Sequence, residues 1–213
     1  MADLDLANLR RQYSQGALDE QSAPSDPFIL LQQWIEEAIS SQFMEPNAFV
    51  LSTVDSEGQP HARVVLLKGF EPPYLYFYTN YESAKAREIG MNPRVAATFW
   101  WDALERQVRI EARVEKAPAA ISDAYFASRP YESQIGAWAS PQSQPITKEA
   151  LLERWKAYAE QYPEKSVPRP PYWGGYRLIP HRIEFWQGRP NRLHDRLVYW
   201  REGENWKRIR LAP

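Results

Sequence analysis

The stretch IEFWQGRPNRLHDR, residues 183–196, sets Arg192, His194 and Arg196 at intervals of two after a strand-like run. A guanidinium carries a fixed charge and a fork of donors, and an imidazole can donate, accept or exchange a proton near neutral pH. Side chains two apart on an extended segment share a face. The three would then form a local positive site, unless Asp195, Glu184 or other carboxylates neutralise them. Trp186, beside them, suits either a core or a stacking surface.

Two further sets of cations stand in regular contexts. RVVLLK places Arg63 and Lys68 around four apolar residues. Positions five apart on a regular strand face opposite sides, so unless a bulge or twist intervenes these two are expected to serve different anions or simply to mark solvated strand ends. TNYESAKAREI follows one strand and opens a helix. Backbone N–H groups and hydroxyls at such a junction suit a phosphate, with Thr79, Ser83 and Lys85 as contributors, although Ser and Glu also serve there as caps. Taken together the cations suggest a flat ligand bearing a phosphate, with a second anion nearby. A bound cofactor would supply redox or group-transfer chemistry without a protein nucleophile.

Several alternatives fail on composition. The chain of 213 residues has no cysteine, which removes disulfides, thiolate metal sites and Cys nucleophiles. Its three histidines, His61, His181 and His194, show no metal-ligand spacing, so no metal is expected. Neither a dinucleotide loop, a P-loop nor a G-x-S-x-G elbow is present. A net charge of −1 argues against nucleic acid as a partner. No apolar run is long enough to span a membrane. The N-terminus lacks the basic-then-apolar order of a secretory signal, and the expected location is cytoplasmic.

The elements that must position these residues follow from pattern. Residues 1–24 read as a flexible segment of loop chemistry, in which LANLRRQY could form a short amphipathic turn. SDPFILLQQWIEEAISSQF reads as a helix capped by Ser25 or Asp26, with Pro27 at its first position and Leu30, Leu31, Trp34, Ile35, Ala38 and Ile39 as its apolar stripe. A hairpin turning at Asp55–Gly58, a strand at YLYFYT, a short helix at ESAKAREIGMN and strands at RVAATFWW and RQVRIEARVEKA follow. In the last of these Val108, Ile110, Ala112 and Val114 alternate with Gln107, Arg109, Glu111 and Arg113. Residues 119–128 and 147–161 read as helices, separated by the turn-rich SRPYESQIGAWASPQSQP. After an irregular PEKSVPRPPYWGGY come three strands, the last two joined at Gly–Glu–Asn. Nine Trp, twelve Tyr and eight Phe fit a β-rich core and a large subunit interface. Antiparallel hairpins dominate, so the expected class is mainly β with peripheral helices, a closed or nearly closed barrel. No composition break marks a boundary, and residues 25–213 read as one domain.

The C-terminal stretch resembles the signature of the pyridoxamine/pyridoxine 5′-phosphate oxidase family, an acidic–aromatic–Trp triplet followed by RLHDR. LRRQY, RVVLLK, FYTNYESAK, LERQVRIEARVE, YFASRPYESQIGAWASPQS, WGGYRL and the terminal RLAP extend the resemblance over nearly the whole chain. The resemblance implies an FMN-binding split barrel working as a homodimer, with FMN at the subunit interface. By motif, Arg63, Val64, Val65, Leu66, Leu67, Lys68, Tyr78, Thr79, Lys85, Gln107, Gln142, Ser143, Trp186 and Arg196 would bind FMN. Lys68, Tyr125, Arg129 and Ser133 would hold the substrate phosphate, and Arg192 and His194 would do the catalytic work against the pyridine ring. Arg10 and Tyr13 would belong to an N-terminal lid over the substrate. The implied reaction oxidises pyridoxine or pyridoxamine 5′-phosphate with O2. A split-barrel flavin- or haem-binding module with another substrate is the alternative, but SRPYESQ and RLHDR together favour the oxidase. One departure stands out: the family usually has Arg where this chain has Ala84, which removes one cation from the flavin phosphate, and Arg87 one turn on could partly replace it.

Overall fold

The computed structural model describes residues 5–9, 11–164 and 166–213. Arg10 lies outside the described residues. The chain is mainly β, with helices on its periphery, and its elements run α1 (Pro27–Ser40), β1 (Ala48–Val54), β2 (Pro60–Leu66), β3 (Gly69–Glu71), β4 (Tyr74–Asn80), α2 (Ala84–Met91), β5 (Arg94–Trp101), β6 (Arg106–Lys116), α3 (Ala119–Ser128), α4 (Tyr131–Ala139), α5 (Lys148–Gln161), β7 (Trp173–Gln187), β8 (Asp195–Glu202) and β9 (Asn205–Arg210). Sheet order is β2-β1-β5-β6-β7-β4-β3, with β8 pairing on β7 and β9 on β8.

Two compact units interleave in sequence: residues 1–47, 98–110 and 181–213 form the first, and 48–97 and 111–180 the second. A unit assembled from separated segments leaves no composition break for a sequence to display.

In the second unit, β1 and β2 pair antiparallel with Leu51 opposite Arg63 and Thr53 opposite His61. The Asp55 carboxylate accepts from the N–H groups of Glu57 and Gln59, both at 2.9 Å, and closes that hairpin. Phe49, Leu51, Leu75, Phe77 and Leu178 are buried at its centre, each worth about 1.5–3 kcal/mol of transfer free energy. In the first unit Trp34 of α1 packs edge-on to Phe185 at 5.2 Å, and Phe185 does the same to Tyr199 at 5.6 Å. Asp26 caps α1, accepting from the Phe28 N–H at 2.9 Å. Leu30, Leu31, Trp34 and Ala38 are buried as their spacing predicts, but Ile39, one residue past the fully buried Ala38, is 58% exposed.

One other expectation changes. SRPYESQIGAWASPQSQP is not only turns, because residues 131–139 form α4 behind Pro130. Its Ser and Gly residues hide a helix that fixes Ile135, Ala137 and Ala139 in the interior. The alternation along β6 holds, with Val108, Ile110, Ala112 and Val114 buried.

Candidate functional site: a cationic cavity and the C-terminal signature turn

The second unit contains a cavity of about 670 Å³ lined by Arg63, Val64, Val65, Leu66, Lys68, Tyr78, Thr79, Lys85, Tyr125, Arg129, Ser133 and Gln142, among others. Its size suits a small organic ligand. Four lining side chains are cations, and none of the described lining residues is a carboxylate. In a chain of net charge −1, this concentration of positive charge selects anions.

Arg63 enters from β2. Its Nη1 donates to the Leu51 carbonyl at 3.3 Å, and it also bonds the Thr53 hydroxyl. Its Nη2 lies 3.0 Å from Glu88, a buried carboxylate of α2 that also accepts from Thr53. Burial raises the pKa of Glu88, but the hydrogen bonds from Thr53 and Arg63 and the Arg63 charge outweigh it, and the carboxyl is held below its usual range. Glu88 therefore fixes the direction of Arg63 from behind the cavity wall.

Lys85 enters from the first turn of α2, whose N-cap Ser83 accepts from the Ala86 N–H. Its Nζ donates to Thr79 at 3.2 Å, to Gln142 Oε1 at 3.1 Å and to Ser83 at 3.5 Å. Burial pushes the Lys85 pKa down, and Arg63 adds to that. An ammonium held only by neutral oxygens in this setting gains most from an incoming anion.

The opposite wall is aromatic. Tyr78 stacks on Tyr125 with centroids 3.8 Å apart, and Trp173 lies parallel to both. Gly175 makes room for this stack, since a Cβ there would sit 2.9 Å from the Tyr78 ring. Burial pushes the Tyr78 phenol up to about 12, so it stays protonated as a donor. Arg129 lies over Trp173 at 4.6 Å. Burial lowers its pKa too, and its buried Nη1 has no hydrogen-bond partner among the described residues. An unsatisfied buried guanidinium donor of this kind points to an absent acceptor.

The expectation that Arg63 and Lys68 face apart fails, since both line this one cavity. Strand β2 ends at Leu66, and the Lys68 N–H then pairs with the Tyr76 carbonyl, so strand alternation no longer governs Lys68. Leu67 is buried, and neither it nor Ser143 lines the cavity. Ser143 follows Gln142 with a φ of 68°. Arg87 turns away and donates to the Glu82 carbonyl, so it does not stand in for the cation missing at Ala84. Trp173 and Ser140 also line the cavity. WGGY offered a signal for Trp173, whereas Ser140 is brought there by the end of α4.

The first unit holds the C-terminal signature. The equal-face reading of Arg192, His194 and Arg196 fails because the segment is not extended. Residues 190–192 form a tight turn in which Asn191 and Arg192 have φ of 58° and 60°. The strand begins at Asp195. Arg196 pairs with Glu184 on β7, its Nη2 at 2.8 Å. Glu184 is 2% exposed and also meets Arg182 at 3.1 Å and Arg109 at 3.5 Å, so this carboxylate leaves a surplus of positive charge.

The Arg189 backbone N–H donates to His194 Nδ1 at 3.1 Å. Because a backbone N–H can only donate, Nδ1 must be the acceptor and the neutral ring carries its proton on Nε2. Burial lowers the His194 pKa, Arg192 lowers it further and Asp195 opposes. Tyr13 meets Trp186 at 5.6 Å and His194 at 5.4 Å, both edge-on, and Trp186 lies 4.7 Å from His194. Arg192 is exposed, and Gln107 is half-buried on β6.

Comparisons with known proteins bear on the family of the chain. Residues 35–161 match the family model described as pyridoxamine 5′-phosphate oxidase. Residues 173–213 match the model described as the pyridoxine 5′-phosphate oxidase C-terminal dimerisation region. Among curated proteins, the pyridoxine/pyridoxamine 5′-phosphate oxidase of Gloeothece citriformis is 53% identical, covering 99% of this chain and 100% of that protein. The protein of the same description from Pseudomonas paraeruginosa is 54% identical, covering 98% of each. Among solved structures, PhzG from Burkholderia lata, in complex with tetrahydrophenazine-1-carboxylic acid, superposes with a TM-score of 0.86 at 30% identity, covering 92% of this chain and 98% of that one. An FMN-binding, pyridoxamine 5′-phosphate oxidase-related protein from Nostoc punctiforme shares the fold at a TM-score of 0.72 and 19% identity, covering 90% of this chain and 100% of that one. With its cation-lined cavity, its split-barrel fold and matches along nearly its whole length, this chain belongs to the FMN-dependent pyridoxamine/pyridoxine 5′-phosphate oxidase family.

Proposed function

We propose that the protein is an FMN-dependent oxidase that converts pyridoxine 5′-phosphate and pyridoxamine 5′-phosphate to pyridoxal 5′-phosphate while O2 becomes H2O2. The observation that carries this reading is the cavity itself: Arg63, Lys68, Lys85 and Arg129 beside the Tyr78–Tyr125–Trp173 stack, with no carboxylate among the described lining residues. Two phosphate-bearing ligands with planar rings match that chemistry. FMN fits the donor set, because Lys85 meets only neutral oxygens, and the Arg129 Nη1 that lacks an acceptor suits the phosphate of the substrate.

In this reading Arg63 and Lys85, with Thr79, Gln142 and Ser143, hold the flavin phosphate and ribityl chain. Val64, Val65, Leu66, Lys68 and Tyr78 line the rest of the flavin, with Leu67 buried behind them. Lys68, Tyr125, Arg129 and Ser133 hold the substrate phosphate. Gln107, Trp186 and Arg196 complete the flavin site, Arg192 and His194 meet the pyridine ring, and Arg10 and Tyr13 cover it. A homodimer with FMN at the subunit interface brings these sets together. The absence of cysteine suits a reducing cytoplasm.

FMN held by these residues would supply the two-electron redox chemistry, taking up the hydride equivalent from C4′ and passing two electrons to O2. The alcohol substrate plus O2 gives the aldehyde plus H2O2, and the amine substrate also takes up water and releases ammonia. The protein's part is orientation. Cations on the substrate phosphate, remote from C4′, convert binding energy into alignment of the reacting carbon. With Nδ1 engaged by Arg189, His194 offers Nε2–H as a donor to the pyridine substituents.

The test is direct. Purified protein should be yellow, or become so with added FMN, and should form peroxide and pyridoxal 5′-phosphate from pyridoxine 5′-phosphate in air. A colourless protein that fails to bind FMN would refute the proposal. A yellow protein inert toward both substrates would refute the substrate assignment alone.

A further inference from the structure

Glu105 lies in the turn between β5 and β6 and is 1% exposed. Its backbone is left-handed, with φ of 54°, a conformation that a residue with a Cβ adopts reluctantly. Its carboxylate accepts from two backbone N–H groups of the N-terminal segment, Ser14 at 2.6 Å and Gln15 at 2.9 Å. Arg11 adds an ion pair at 3.4 Å. The Glu105 carbonyl faces the other way. It accepts from the Gly188 N–H at 2.7 Å and from Gln187 Nε2 at 3.3 Å.

One residue thus holds two distant segments, and Tyr13 sits where they meet. Tyr13 is bonded to Ser14 on one side and packs on Gly188 on the other, where a Cβ would lie 2.8 Å from its ring. Its ring is edge-on to both Trp186 and His194. The carboxylate bonds are not needed to form the β5–β6 turn, which closes through the Glu105 N–H on the Asp102 carbonyl at 3.1 Å. Their effect is to fix where Tyr13 stands.

We propose that Glu105 is a positioning residue for the reaction, seating Tyr13 against His194 so that the two present one preassembled surface to the substrate. The proposal rests on the reading that Tyr13 and His194 meet the substrate. FMN-loaded Glu105→Ala should keep its flavin spectrum and FMN affinity, while KM for pyridoxine 5′-phosphate rises about tenfold and kcat changes less, as expected for loss of charge-assisted hydrogen bonds. Tyr13→Ala should raise KM similarly, and the double variant should be no worse than Tyr13→Ala alone. A merely structural role for Glu105 would give additive effects instead. An independent readout needs no turnover: chymotrypsin should cut after Tyr13 faster in Glu105→Ala than in the unaltered protein. Where Glu105→Ala yields no soluble holoenzyme, Glu105→Gln, which keeps an acceptor oxygen, should show a smaller KM rise that vanishes in the Tyr13→Ala background. Additive effects, or an unchanged KM in the Glu105 variant, would overturn the proposal. An unchanged KM in Tyr13→Ala would overturn it through its premise and leave the oxidase assignment intact.

Discussion

Ala84 opens α2 directly before Lys85, at the position where the family resemblance leads one to expect an arginine. With Arg87 turned to the Glu82 carbonyl, the flavin phosphate in the proposed site would rely on Arg63 and Lys85. Ala84→Arg is therefore expected to tighten FMN binding by tenfold or more, given about 1.5–3 kcal/mol for a charge-assisted hydrogen bond. Titrating apo-protein with FMN by flavin fluorescence checks this, and unchanged affinity would sink the idea. Arg192 and Arg196 should separate by function. Arg192→Ala should lower turnover at least tenfold with the bound-FMN spectrum intact, whereas Arg196→Ala should weaken FMN retention, which dialysis would reveal. FMN loss from Arg192→Ala would mean that its role is misassigned. For His194 the sign follows from its environment. Its pKa is lowered from 6.5 by burial and Arg192, so the unfolded chain binds the proton more readily. Its contribution to stability is complete above about 6.5 and is lost as pH falls through the lower folded value. Protonation also removes the acceptor for the Arg189 N–H. An acid limb in kcat/KM below about 6.5 is expected, absent in His194→Asn, and its persistence in that variant would assign it to another group.

Among elements, α1 gives the most direct test of local encoding. Its Asp26 cap bonds the Phe28 N–H at 2.9 Å, with Pro27 at the first position. Asp26→Ala should cost about 1 kcal/mol, roughly 2–4 °C in Tm for a chain of this size, with FMN affinity unchanged. The elements also show where sequence reading stops. Alternation gave the buried face of β6 because both flanks of a regular strand obey one period. The same rule misplaced Lys68, because β2 ends at Leu66 and the period ends with it. It misplaced Arg192 and His194 too, because positive φ at Asn191 and Arg192 bends the chain into a turn. Helix α4 escaped notice since Ser, Gly and Pro around it read as turns until packing selects otherwise.

For the whole molecule, ligand binding should appear as stability. FMN at a hundredfold excess over its Kd adds about 2.7 kcal/mol, roughly 5–10 °C in Tm at 2–4 °C per kcal/mol. In sedimentation, the proposed homodimer should run at twice the chain mass, with one FMN per chain by absorbance. A monomer that retains FMN would refute the placement of FMN at a subunit interface. The sequence by itself determined the antiparallel, mainly β class, the short helix that carries Lys85, the family, and the candidate phosphate-binding cations. Those follow from local periodicity, caps and contiguous motifs. Only the tertiary structure decided that Arg63, Lys68, Lys85 and Arg129 converge on one cavity, that Glu88 steers Arg63, that Glu184 sits among three arginines, and that Glu105 joins Ser14 to Gly188. The reason is physical. A buried carboxylate must find its donors across the fold rather than along the chain, so its partners leave no spacing for a sequence to reveal.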